Sequence, residues 1–262
     1  MARRPFRALW LGTRPYAPVL ALQESLWAER EAGGIVDTVL LLEHHKVVTL
    51  GRGADPANVL FGEEALRARG YDCVKTTRGG DVTLHAPGQL VGYPIFDLRP
   101  DRCDVRRFVR DLTEVMRRVV ARHDVSAGEV PGMVGLWVDR TSPGAFPRRE
   151  AARDLAKLGA VGVKISRWVT QHGFALNLTT SPDLFSVIVP CGIRDHAVTS
   201  VKEVAGIEES TEVAAAAAMK AIAEVFDAEC RELEDWSRRD LGEPFSAALG
   251  TVAADANTPP AF

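Results

Sequence analysis

Cysteine is scarce in this chain. Only four occur among 262 residues, at Cys73, Cys103, Cys191 and Cys230, and no two form a C-x-x-C pair. That removes the common structural-zinc and dithiol spacings, so no metal site is expected, and at this length it makes a disulfide framework a poor expectation. Long apolar runs are also missing. Nothing approaches the roughly 20 apolar residues of a membrane helix. The start Met1-Ala2-Arg3-Arg4 has the charge of a targeting n-region, yet no apolar segment of sufficient length follows it. Nor does one sign of charge dominate: the net charge is −3 with 26% charged residues, which argues against a general nucleic-acid binder. With 46% hydrophobic residues the composition is that of an ordinary globular protein, and the expectation is a cytoplasmic protein with neither membrane nor nucleic acid as partner.

What is present reads as one domain over residues 1–243, followed by a small, Pro/Ala-rich tail (244–262) expected to be disordered. Residues 22–32 (LQESLWAEREA) have helical spacing and stop at Gly33-Gly34. "IVDTVLLLEH" (35–44) and "KVVTLG" (46–51) read as two strands joined tightly, Glu63–Arg69 as a short helix, and "LVGYPIFDL" (90–98) as a strand. Asp104 has the chemistry of an N-cap for a helix whose apolar stripe is Phe108, Leu112, Val115 and Val119. Strands are expected at 132–139, 159–166, 168–178 and 185–190, with a polar, proline-bearing loop or insertion over 140–156. A last helix is expected from about Thr211 to Trp236. Strands and helices do not alternate as βαβ units, so the fold class is α+β, a mixed sheet with helices packed on one face.

Chemistry-bearing residues concentrate in three places. "RGGDVTLHAPGQLVGYP" (78–94) packs four glycines with Arg78, Asp81, Thr83, His85 and Gln89. It reads either as a surface hairpin with turn glycines or, given its variety of polar groups between apolar runs, as a loop that lets the backbone approach a ligand. "KLGAVGVKISRWVTQHGFALNL" (157–178) holds Lys157, Lys164 and His172; taken alone, Lys157 is a solvated surface lysine and His172 a hydrogen-bonded structural group. "SVIVPCGIRDHAVTS" (186–200) puts Cys191 in a Pro-Cys-Gly break at the end of an apolar run, where a purely structural cysteine is not expected.

In order and spacing, "RGGDVTLHAPGQL", "GVKISRWVTQHGFALNL" and "VPCGIRDHAVTSV" resemble the lipoyl(octanoyl) transferases. "LLLEHHKVVTLGRGADPANVL" (40–60) resembles that family's N-terminal segment, so the likeness spans roughly residues 10 to 205. The resemblance implies the biotin/lipoate protein ligase catalytic-domain fold. It also implies transfer of an octanoyl group from octanoyl-acyl carrier protein to a lysine of lipoyl domains, those of 2-oxoacid dehydrogenases and the glycine cleavage H protein. Cys191 matches the family nucleophile and Lys157 the catalytic lysine; the register with Cys191 favours Lys157 over Lys164. The acyl-site segments match Arg78, Gly79, Gly80, Asp81, Val82, Thr83, Leu84 and His85, then Ala160, Val161 and Gly162, then Gly173, Phe174 and Ala175, with His172 in a supporting place. The chain departs from the pattern at His45-Lys46, where two prolines are usual, at Ala86 for a usual glycine, and at 140–156.

These residue types suit that reaction. Acyl exchange from thioester to thioester is nearly isoenergetic and the later step to an amine is downhill, so neither ATP nor another cofactor is required. A free thiol with pKa ~8.5 is only ~3% thiolate at pH 7, and a neighbouring ammonium favours the thiolate. Backbone N–H groups at Cys191-Gly192 are candidate oxyanion donors, and Leu84, Val161 and Phe174 are candidate walls for the alkyl chain. Two other classes fit parts of the chain. One is an ATP-dependent ligase on the same fold, for which "GRG" at 51–53 resembles the loop of biotin ligases. The other is a non-catalytic domain that grips an acylated carrier. The arginines of 104–122 (Arg106, Arg107, Arg110, Arg117, Arg118 and Arg122, against three acids) read as a solvated face or as a docking surface for an acidic partner.

Overall fold

The computed structural model describes residues 3–146, 153–190, 196–230 and 232–241. The chain opens with strand β1 (Arg4–Arg14), helix α1 (Tyr16–Glu31), then β2 (Asp37–His44) and β3 (Val47–Leu50). Helix α2 (Glu63–Ala68), β4 (Asp72–Lys75), β5 (Val82–His85), β6 (Gln89–Ile95) and helix α3 (Val105–Ala121) follow. The second half runs through β7 (Gly128–Val130), β8 (Met133–Asp139), β9 (Leu155–Ser166), β10 (Val169–Asn177), β11 (Ala197–Val198), helices α4 (Val201–Ala205) and α5 (Thr211–Val225), and short β12 (Ala228–Glu229) and β13 (Leu233–Asp235).

The large sheet has the order β12-β1-β2-β6-β10-β9-β8-β7, with β13 also paired to β1 and β11 to β9. It is mixed: β1 runs parallel to β2, whereas β2–β6, β6–β10, β10–β9 and β9–β8 are antiparallel. The order β4-β3-β5 makes a small second sheet. His45-Lys46, between β2 and β3, carries the chain from one sheet to the other.

The central strands are apolar on both faces because both faces are covered. On one side lie α3, through Phe108, Leu112, Val115, Met116 and Val119, and the alanine-rich α5, through Ala214, Ala215, Ala218 and Ile222. On the other lies α1, whose Val19, Leu22 and Leu26 pack on Leu40, Leu42, Val91 and Ile95; each such buried side chain contributes about 1.5–3 kcal/mol. Helices on one face only, as the sequence suggested, is therefore corrected. Asp104 does cap α3, its side chain accepting from Arg107 N at 2.9 Å.

Other expectations change too. Residues 185–190 are not a strand: Pro182–Val187 form a 3₁₀ turn opened by Pro182, and Ile188 makes only an isolated bridge to Val59. The last helix stops at Val225 rather than Trp236, and Asp227 takes φ 43°. Cys230 thus follows β12 and is not helical. Of the 140–156 insertion, Arg140 pairs with Asp154 at 2.8 Å and Leu155 already begins β9; residues 147–152, the tail 244–262 and the segment 191–195 with Cys191 and Gly192 lie outside the described residues. Among the described residues, no helix is long and apolar enough to cross a membrane.

Candidate active site

The middle of β10 pairs with β6 and β9, so the glycine-rich stretches of all three strands meet: Gly173 faces Gly162 across one ladder and Phe174 faces Gly92 across the other. These glycines are required by close approach. A Cβ on Gly173 would overlap the Gly92 carbonyl, and one on Gly92 would overlap the Phe174 ring. Gly92→Ala is expected to push Phe174 aside at a cost of about 1–3 kcal/mol, read as a lowered unfolding midpoint in urea.

Against this glycine seam lies a narrow pocket with a cavity volume of about 40 Å³. Arg78, Gly80, Asp81, Thr83 and His85 form one wall; Ala160, Val161 and Gly162 a second; His172, Gly173, Phe174 and Ala175 a third. The structure thus brings the three sequence segments together. Strand alternation decides which side chains of β5 take part. Thr83 and His85 face the pocket, while Val82 and Leu84 turn away into a small core with Leu66, Phe185 and Val187. Leu84 is therefore not a wall of the alkyl slot, and Gly79 is not among the lining residues; its N–H donates to Val163 O at 2.9 Å. Ala86 is fully buried in that same small core, so the missing glycine is accommodated by packing.

Two lining residues carried no signal in the sequence, Tyr16 and Tyr93. Each sits on an element whose partner is distant in the chain, and only the sheet pairing reveals them. With His44, His85 and His172 they form a buried ring cluster: His85 stacks on Tyr16 at 6.1 Å, and His44 lies 5.5 Å from His85 and 5.8 Å from Tyr93. The tautomers follow from the partners. His85 Nδ1 faces Gln89 Oε1 at 2.7 Å, an acceptor, and must carry the proton. His44 Nδ1 donates to Arg14 O at 2.9 Å, which leaves its Nε2 to accept from the Tyr93 hydroxyl at 2.9 Å. Burial holds His44 down to about 4 and, helped by the charges of His44 and Arg78, holds His85 down to about 3. Burial pushes the Tyr16 phenol up to about 12. His172 is held down to about 3 by burial and then by Arg78 and Lys164, and its backbone takes φ 59°, a left-handed conformation costly for histidine. The guanidinium of Arg78 is buried and donates to Thr49 O at 2.6 Å. Asp81 accepts from Asn58 Nδ2 at 2.6 Å and Asp55 N at 3.0 Å, tying this wall to the preceding loop.

A second, smaller cavity adjoins the first through shared Thr83, Ala160 and Ala175, and it is lined by Lys157 and by Pro190, the residue before Cys191 in the chain. Lys157 is only 7% exposed and its Nζ lies 5.5 Å from the Trp137 ring centroid, so it is not a solvated surface lysine. A buried chain of polar groups sets it against His85: Gln89 Nε2 donates to Asn177 Oδ1 at 2.9 Å, Asn177 Nδ2 to Thr199 O at 2.9 Å, and Thr199 N to Lys157 O at 2.9 Å. Lys164 is elsewhere on β9 and donates to Gln171 Oε1 at 3.3 Å. The other thiols have no such setting. Burial pushes Cys73 and Cys230 up, and Cys103 is exposed.

The mixed sheet clad with helices on both faces is an architecture shared with known proteins. The family model of the lipoyl protein ligase A/B catalytic domain matches residues 15–227, and the chain belongs to that family. Solved relatives share the fold at low identity: lipoate-protein ligase A bound with ATP (TM-score 0.65, 15% identity, 89% of each chain) and the bipartite lipoate protein ligase of Thermoplasma acidophilum (0.62, 13%, 88% of this chain and 87% of that one). Curated relatives are nearer. An octanoyltransferase of Chloroflexus aurantiacus is 44% identical over 85% of this chain and 94% of its own, and one of Solibacter usitatus 41% over 84% and 92%. One of Myxococcus xanthus is 46% identical over 75% of this chain, the match spanning 52% of its own length. Within the family the chain is therefore an acyltransferase of the lipoyl(octanoyl) transferase group.

Proposed function

We propose that the chain moves an octanoyl group from octanoyl-acyl carrier protein to a lysine of lipoyl domains, with Cys191 as nucleophile and Lys157 as proton carrier. The observation that carries this reading is Lys157, buried in a cavity that Pro190 also lines and that opens beside the apolar, glycine-walled slot. The Cys191 thiolate adds to the thioester carbonyl and the donor's C–S bond breaks. The departing thiolate takes a proton from the Lys157 ammonium. The acceptor amine then attacks the Cys191 thioester, the now neutral Lys157 accepts its proton, and Cys191 leaves as a thiolate beside a restored ammonium. Every proton is returned, so no cofactor is consumed.

The slot supports the acyl specificity. Seven alkyl carbons at ~0.8 kcal/mol each give an upper bound of roughly 5–6 kcal/mol, supplied along Val161, Phe174 and the bare glycine seam. His85, neutral with its proton on Nδ1, positions substrate and does not relay protons.

Intact mass after incubation with octanoyl-acyl carrier protein, without ATP, is the test. One octanoyl group, labile to hydroxylamine and mapping to Cys191, is expected in the wild type and none in Cys191→Ser. An adduct on Cys73, Cys103 or Cys230, or activity only with ATP and free octanoate, would sink the proposal.

A further inference from the structure

The acyl slot has a direction. It shares Thr83, Ala160 and Ala175 with the Lys157 cavity, and three strands lead away from that junction the same way. β9 runs from Lys157 to Gly162, antiparallel β10 from Asn177 back to His172, and β6 from Gln89 to Tyr93. At the far end stands the His172 ring, with Tyr16, Arg78 and Tyr93, all buried, closing the slot around it. His172 pairs with Val163, three residues beyond Ala160. At ~3.3 Å per residue that puts the end wall about 10 Å from the junction. An octanoyl chain, with seven C–C bonds of ~1.5 Å, spans at most roughly 10 Å. The two lengths agree.

The backbone at that wall is held in an unusual way. His172 takes φ 59°, which a histidine adopts only at a cost. The β6–β10 register runs to Phe174–Gly92 and its next bridge is Asp97–Val169. Between them the His172 N–H donates to Gln23 Oε1, on α1, at 3.0 Å. The ring sits between Thr77 Oγ1, 3.4 Å from Nε2, and Tyr93, edge-on at 6.4 Å. His172 Nδ1, Gln23 Nε2 and Gln171 Nε2 are buried without a hydrogen-bond partner among the described residues. Strain and unpaired polar atoms gathered at one point of a site mark a place where function outweighs stability.

We infer that His172 is the length stop of the acyl slot: its ring ends the channel one octanoyl chain away from the Lys157 cavity, and Gln23 is the positioning residue that holds the turned backbone. A shorter chain leaves apolar contacts unmade, and a longer one must displace a close-packed ring. The inference rests on the transferase reading above.

The test is acylation of the protein by octanoyl- and decanoyl-N-acetylcysteamine, followed by intact mass. Glycine is at ease in the left-handed backbone, so His172→Gly removes the ring and keeps the fold, with the thermal midpoint as control. Its decanoyl-to-octanoyl ratio of kcat/KM should rise about tenfold over that of the unsubstituted protein, each further methylene being worth about fourfold. Gln23→Met, which keeps the bulk but offers no oxygen to the His172 N–H, should raise the same ratio at least about twofold. His172→Asn, smaller and also tolerant of that backbone, should move it the same way and decides the matter if the glycine variant does not fold. An unchanged ratio in the folded His172 variant, or an equal fall with both donors, would overturn the length stop. Failure of the unsubstituted protein to take an acyl group from these donors or from octanoyl-acyl carrier protein would instead overturn the transferase reading beneath it.

Discussion

Lys157→Met is expected to slow octanoyl transfer by about 10²–10⁴-fold, in both the acylation and the transfer half-reaction, while Lys164→Met changes either by no more than a few-fold. Methionine keeps the length and most of the volume of the lysine stem, so packing against Trp137 survives and only the ammonium is lost. The two lysines are easily confused in the sequence, since both stand on glycine-punctuated β9. They are seven residues apart, which places them about 23 Å apart along the strand, with a register shift against β8 at Leu158 between them. Only Lys157 reaches the cavity that Pro190 lines. Single-turnover acylation and transfer rates, with thermal midpoints as the folding control, decide it. Comparable losses in both variants, or a loss confined to Lys164→Met, would mean that the proton carrier has been misplaced.

The legible parts of this chain were those with local causes. Asp104 and the Phe108–Leu112–Val115–Val119 stripe specify α3 within one window, and the dense glycine and polar residues of 78–94 single out a segment whose Arg78, Gly80, Asp81, Thr83 and His85 line the pocket. The missed parts had causes far away in the chain. β1 begins with Arg4-Pro5 and carries Gly12, so it does not alternate as a surface strand does; it is buried on both faces because Phe6, Ala8 and Trp10 pack into the core on one side of the sheet and Leu9 and Leu11 into the core on the other. The apolar run 185–190 has strand composition, but Pro182 starts a 3₁₀ turn that absorbs half of it. The alanine run of α5 has high helix propensity to its end, and packing of Phe226 among Phe96 and Phe108 stops it. Tyr16, Tyr93 and His44 come together only because α1, β2 and β6 meet there.

That buried cluster makes acid the chain's weak point. His44 at about 4, and His85 and His172 at about 3, all lie below the ordinary value of 6.5. Above pH 6.5 each imidazole is neutral whether the chain is folded or not, and the fold keeps its full stability. As pH falls below 6.5 the unfolded chain takes up protons that the folded chain refuses, so stability is lost until the folded values are reached. At pH 5 the loss is about 2 kcal/mol per imidazole, about 6 kcal/mol for three, against a total of about 5–15 kcal/mol for a typical domain. Carboxylates held low by partners, such as Asp97 beside Arg99 and Glu234 beside Arg7, add their loss only at lower pH, while Asp37, raised by burial, works the other way there. Urea unfolding at pH 7.5, 6 and 5 should therefore show stability falling with a slope that approaches three protons. In His172→Asn, where asparagine tolerates the left-handed backbone, the slope should drop toward two. A stability that is flat from pH 7.5 to 5, or a slope that His172→Asn leaves unchanged, would show that these histidines titrate normally in the folded chain.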